Sequence, residues 1–180
     1  MTVRGLRNSV PVAVVQGKVV RLQIWDSAGQ ENYRSITRAY YRSSVCAILV
    51  FDVSNRKSFE DIKSWLEEAT NFGSDSMYLV LLGNKCELGE GRSVSFEEGS
   101  KFARDHGMLF FEVSAITGLN VMKSFTVIVE RVLDDIRRNL IDPNNESHGI
   151  KTGMNTIPPS NLASLNIKPN EQRTVCCFRT

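Results

Sequence analysis

The stretch Trp25-Asp26-Ser27-Ala28-Gly29-Gln30-Glu31 has residue types and spacing that suit chemistry on a nucleotide phosphate. An Asp closing an apolar strand can hold Mg²⁺ at the strand's carboxyl end, where open α/β sheets bind ligands. Gly29, three residues on, lets its backbone N–H approach a γ-phosphate with no side chain in the way. Gln30 can orient an attacking water. A bare D-x-x-G says little. The alternating strand before it and the flanking Trp and Gln-Glu give this one weight.

Two further segments sit where a sheet would place them beside the first. Gly83-Asn84-Lys85-Cys86-Glu87-Leu88 directly follows the apolar run Tyr78 to Leu82, and Ser114-Ala115-Ile116-Thr117-Gly118 follows the run Met108 to Phe111. Each alone reads equally as a polar turn. Their order, each after a buried-strand pattern, points to one site assembled at one end of a sheet.

The elements that must position these loops follow from periodicity. Val10 to Val15 and Lys18 to Trp25 read as strands around a Gln16-Gly17 hairpin turn. In the second, Val20, Leu22 and Ile24 alternate with Arg21 and Gln23, the period of a strand with one buried face. Val45 to Val53 is a continuous apolar run, which fits a parallel strand covered on both faces. Between the runs lie helical patterns. Ser58 opens one with Phe59, Ile62, Trp65, Leu66 and Ala69 at three- and four-residue steps. Ser95 with Glu98 forms a capping box for a helix reaching about His106, with Gly107 as its stop. Val121 to Leu140 carries Phe125, Ile128, Val129, Val132 and Ile136 on one face, with Asp134-Asp135 and Arg137-Arg138 opposite. Strands alternating with helices predict an α/β domain with a mostly parallel sheet over residues 1–140. From Asp142 the periodicity stops, and Asn, Ser and Pro predict a flexible tail over 141–180.

Composition sets bounds on function. Hydrophobic residues make up 42% and charged residues 23%, as in an ordinary globular protein. The formal net charge is +2 and no stretch is densely basic, which argues against nucleic-acid binding. No apolar run reaches the roughly 18 residues of a membrane span, and the start MTVRGLRNSV has no apolar core of a secretory signal. Of the four cysteines, Cys46 reads as a small core residue and Cys86 lies in a loop motif. No pair has zinc-site spacing, and the pattern fits a reducing compartment.

The three loop motifs resemble those of the small GTPases. Arg34-Ser35-Ile36-Thr37-Arg38-Ala39-Tyr40-Tyr41-Arg42 and Leu49-Val50-Phe51-Asp52-Val53-Ser54-Asn55, leading to Ser58-Phe59 and Trp65-Leu66, resemble the Rab branch of that superfamily. The resemblance covers about Val10 to Arg138 and implies a three-layer P-loop fold that acts as a GTP/GDP switch with Mg²⁺. It implies that Asp26 reaches Mg²⁺ through water, Gly29 senses the γ-phosphate and Gln30 positions the catalytic water. Asn84 would fix the base-binding loop, the Lys85 stem would cover the guanine face, and Ser114 and Ala115 would meet the guanine O6 region. Glu87 stands where the family has Asp, whose two oxygens accept both guanine edge N–H groups. Residues 31–42 would form the second switch.

The sequence departs from this family at its start. No G-x-x-x-x-G-K-[S/T] occurs; Gly17-Lys18 is the only Gly-Lys pair, and Val19 follows it. The family's first strand, phosphate loop and first helix would have to precede Val10, so the chain is expected to be a truncated form and inactive as written. In the family that first strand lies between the strand ending at Trp25 and the strand Val45 to Val53. Its loss would leave two buried sheet edges unpaired, at roughly 1–3 kcal/mol for each orphaned group. The alternative expectation is a nucleotide-free pseudo-GTPase that works as an interaction module.

Cys177 has the spacing of a C-a-a-X box, but Arg179 is not the aliphatic residue expected there. The resemblance implies that the paired Cys176-Cys177 carries two prenyl groups, which together anchor stably where one binds marginally. The resemblance then implies a monomer on the cytoplasmic face of endomembranes or vesicles, cycling with the cytosol. It also implies an exchange factor, a GTPase-activating protein, effectors, and Rab escort and GDP-dissociation proteins as partners.

Overall fold

The computed structural model describes residues 6–9, 12–27, 40–152 and 173–179, with the backbone alone described for 6–9, 12, 26–27, 146 and 173–179. Strand β1 (Leu6–Ser9) and β2 (Val12–Val15) both pair antiparallel with β3 (Lys18–Ser27), β1 along its carboxyl half and β2 along its amino half. Gln16 and Gly17 both take positive φ, 53° and 73°, the requirement of a type I′ hairpin turn. The hairpin is the one the sequence predicts. β1 is an addition: LRNS carries no alternation that would mark it.

The rest of the sheet is parallel where the long apolar runs lie. β4 (Cys46–Asp52) pairs with β5 (Tyr78–Asn84) over its whole length, and β5 pairs with β6 (Leu109–Glu112). Alternate residues of β4 feed opposite faces. Cys46 and Ile48 enter a cluster with Val20, Leu22, Val80 and Leu82, while Leu49 and Phe51 enter another with Phe59, Ile62 and Leu66.

Helices cover both faces, which gives the three-layer α/β arrangement expected. Helix α1 (Arg56–Glu60) and α2 (Ile62–Phe72) are separated by Asp61. Asn55, three residues before Ser58, is the N-cap, its side chain accepting from the Ser58 N–H at 3.2 Å. Ser58 Oγ instead donates to the Asn55 carbonyl at 2.7 Å. In α3 (Phe96–Asp105), Ser95 caps by accepting from the Glu98 N–H at 3.1 Å, as expected. The Glu98 carboxylate is bonded to Arg56 at 2.6 Å, so it ties α3 to α1. Helix α4 (Val121–Arg137) buries Ile128, Val129, Val132 and Leu133 against the sheet. Asp135, expected on the solvent side, instead accepts a hydrogen bond from the Tyr78 hydroxyl.

The carboxyl-terminal part adds strands where a tail was expected. β7 (Ile150–Thr152) and β8 (Arg173–Arg179) join the sheet, whose order is β1-β3-β8-β4-β5-β6. β8 runs parallel to β3 from Val19 to Trp25. Its other edge meets β7 over Thr174–Cys176 and β4 at Phe178 and Arg179. The central edges expected to stand unpaired are therefore bridged by a strand from the far end of the sequence. Arg173–Arg179 contains the longest apolar run after Asp142, Val175 to Phe178, and so is the tail segment best able to sit in a sheet.

Candidate functional site

The carboxyl ends of β3, β4, β5 and β6 point the same way, because these strands are mutually parallel through β8. They end near Asp26, Asp52, Asn84 and Glu112. Asp52, Asn84 and Glu112 come nearly level in the ladders, whereas Trp25 stands level with Ala47 across β8, so Asp26 falls short of Asp52 along the strands. Asp26 lies in β3 opposite Arg7 in the ladder. Gly29, Gln30 and residues 31–39 lie outside the described residues.

The loops after β5 and β6 meet. Asn84 Oδ1 accepts the Ala115 N–H at 3.1 Å, which ties the first motif to the second. Below that bond the Cys86 N–H donates to the Val113 carbonyl at 3.2 Å, and the Val113 N–H donates to the Gly83 carbonyl at 2.9 Å. Ser114 is fully buried, and its Oγ accepts the Thr117 N–H at 3.0 Å while its carbonyl accepts the Gly118 N–H at 2.9 Å. The Ser114 side chain thus shapes the loop, and Ala115 beside it is exposed. Lys85 takes φ 65°, a left-handed conformation that turns the chain sharply out of β5. Glu87 is exposed.

Asp52 and Glu112 hold the two loops from beneath, a role that the sequence motifs do not assign to either. The Lys85 ammonium sits 2.6 Å from Asp52 Oδ2, while Asp52 Oδ1 accepts from the Ser54 N–H at 2.8 Å and hydroxyl at 2.6 Å. Burial raises the Asp52 carboxyl, but hydrogen bonds from Lys85 and Ser54 outweigh it and hold it below its ordinary 3.8. Arg92 forms a two-pronged pair with the Glu112 carboxylate and also donates to the Val94 carbonyl. Asn120 Nδ2 donates to the Glu112 carbonyl at 2.8 Å. The sequence signal for Asp52 was available: like Asp26, it is an Asp that closes an apolar strand. Cys86 is not set up as a nucleophile, since burial and the nearby Glu112 and Glu87 carboxylates push its thiol up.

At this end the two loops bring together Asn84, Lys85 on its left-handed turn, the exposed Glu87 and Ala115, whose N–H Asn84 takes. The family model described as the Ras family matches residues 2–134. The chain belongs to the Ras family. Members of that family are small GTPase switches that use GTP or GDP with Mg²⁺ and work with exchange factors, GTPase-activating proteins and effectors.

The sequence supplies no G-x-x-x-x-G-K-[S/T], and no group of three or more metal-ligating side chains occurs among the described residues. β8 stands at the sheet position between β3 and β4.

Proposed function

We propose that this chain carries the guanine-recognition half of a Rab-type GTPase and that the complete switch serves vesicle-mediated membrane traffic. The observation that carries the guanine reading is the Asn84–Ala115 hydrogen bond, which joins the two base-binding loops. The Rab assignment rests on residues 34–42 and 49–55 and on Ser58-Phe59 and Trp65-Leu66. In the complete switch, Asp26 contacts Mg²⁺ through water, Gly29 reports the γ-phosphate and Gln30 orients the water that attacks it. Lys85 leaves Asp52 to lay its stem along the guanine face, and Glu87 accepts from the base edge. Its extra methylene relative to Asp costs roughly 1–3 kcal/mol if one charged hydrogen bond is lost.

The same reading places prenyl groups on Cys176 and Cys177 and the protein on the cytoplasmic face of vesicles or endomembranes. Each sulfur would join C1 of a prenyl diphosphate as the C–O bond breaks, diphosphate leaves and the thiol proton passes to solvent. The test of the guanine reading is a titration of GDP and ADP into a version supplied with the family's first strand and phosphate loop. GDP should bind far more tightly than ADP; equal affinities would overturn the reading.

A further inference from the structure

The position between β3 and β4 is where a parallel central strand belongs, and a strand inserted there must satisfy two edges at once. β8 does so unevenly. It matches β3 residue by residue from Val19↔Arg173 to Trp25↔Arg179, but its ladder partners on β4 are only Cys46 and Ala47. Along Thr174–Cys176 the second edge is taken by β7. Beyond Ala47, β4 outruns the end of β8. The exposure of the sheet face changes there: Ile48 is 2% exposed, whereas Val50, on the same face two residues later, is 44% exposed. The fit is that of a strand that lines most of β3 but reaches only the first two residues of β4.

β7 is held by a close contact. Gly149 takes φ +69°, and a Cβ built on it would lie 2.5 Å from the Ser43 carbonyl oxygen and 2.6 Å from the Val45 nitrogen. Ile150, next in the chain and opposite Cys176 in the ladder, is 1% exposed. The docking of β7 thus builds one wall of the slot directly beside the start of β4.

We propose that this slot is a strand-acceptor site, that Arg173–Arg179 of the same chain is its occupant, and that occupancy withdraws Cys176 and Cys177 from enzymatic modification. The two cysteines lie at ladder positions opposite Leu22 and Gln23. A modifying enzyme must take the terminus as a free extended segment, which a strand paired on both edges is not. Insertion and modification are therefore alternative fates of the same residues. The strand site stands on the pairing alone; the withdrawal from modification rests on the lipid reading given above.

Three measurements on the full chain separate these parts. Hydrogen exchange should protect the amides of Val175 to Phe178 alongside those of β3; exchange at free-peptide rates, with β3 protected, overturns the strand site. Gln23→Cys in a Cys86→Ser background puts a thiol opposite Cys177. Neighbouring strands lie about 4.8 Å apart, inside the roughly 4.4–6.8 Å that a disulfide spans between Cα atoms. Mild oxidation should yield a monomer in which the introduced thiol is disulfide-linked to Cys177, and Cys177→Ser should abolish that link. Absence of the link, or its appearance in a covalent dimer, overturns occupancy in cis. Last, the chain and its Val175→Pro variant are incubated with a labelled prenyl diphosphate, prenyltransferase and escort protein. Proline removes a ladder donor in mid-strand, so the variant should be modified about tenfold faster, equivalent to about 1.4 kcal/mol. Equal rates overturn the withdrawal. Modification of neither chain overturns the lipid reading itself, and the exchange and cross-linking results still decide the strand site.

Discussion

Replacing Gly149 by Ala should destabilise the protein well beyond what its backbone angle alone would cost. Two terms add. The residue sits at φ +69°, and an L-residue in the left-handed region costs about 1–2 kcal/mol. The new Cβ would also collide with backbone, at 2.5 Å from the Ser43 oxygen, 2.6 Å from the Val45 nitrogen and 2.8 Å from the Ser44 carbon. No side chain can rotate away to relieve it, so β7 must lift or the 43–45 loop must shift, at about 1–3 kcal/mol. Gly107 is the internal control. It has nearly the same angle, φ +67°, but nothing within 4 Å of an added Cβ. Gly107→Ala should therefore show the angular term alone. The difference between the two variants should be about 1–3 kcal/mol, or about 2–12 °C in melting temperature for a chain of this size. Urea denaturation of both variants and the parent, with slopes compared, measures it. Equal losses would refute the reasoning, since they would mean that Gly149 is not packed against residues 43–45.

Other consequences can be checked alongside. The lowered Asp52 carboxyl contributes stability above its ordinary value of 3.8 that is lost as pH falls through its folded value, so Asp52→Asn should flatten the acid limb of stability against pH below about 4. In a version supplied with a phosphate loop, Gln30→Leu should slow single-turnover GTP hydrolysis on the order of a hundredfold while GTP binding stays nearly unchanged; an unchanged rate removes Gln30 from the mechanism. Replacing both Cys176 and Cys177 by Ser should move the protein from membrane to cytosolic fractions, and a double variant that fractionates like its parent would end the lipid reading.

What could be read from the sequence was what local pattern determines. The alternation of Val20, Leu22 and Ile24 marked β3, the Ser95–Glu98 spacing marked the start of α3, and the apolar runs marked β4, β5 and β6. The two loop motifs at Asn84 and Ser114 were legible because each directly follows a strand. Features set by distant partners were not. The ion pair between Lys85 and Asp52 joins the loop after β5 to the end of β4, and nothing near Asp52 announces its partner. Asp135 belongs to an acidic pair that looks solvent-facing, yet Tyr78 reaches it from β5. Ser58 was read as the start of its helix, but Asn55, as good a cap, opens it three residues earlier. β8 was missed because Val175 to Phe178 is a short run that contains the two cysteines, which already had a lipid reading. Its strand character appears only beside the vacancy between β3 and β4.

On the proposed reading Asn84, Lys85, Glu87 and Ala115 form a guanine-binding end, while the sequence holds no G-x-x-x-x-G-K-[S/T] to grip the phosphates. Calorimetry with GDP and Mg²⁺ on the purified chain, beside a thermal melt, tests it most directly. The phosphate cradle, the Lys that reaches the β- and γ-phosphates and the hydroxyl on Mg²⁺ are missing together. The predicted dissociation constant is therefore weaker than about 10 µM, a standard free energy of roughly −7 kcal/mol. Submicromolar binding of GDP with a cooperative melt would contradict the account and show that another part of this chain grips the phosphates.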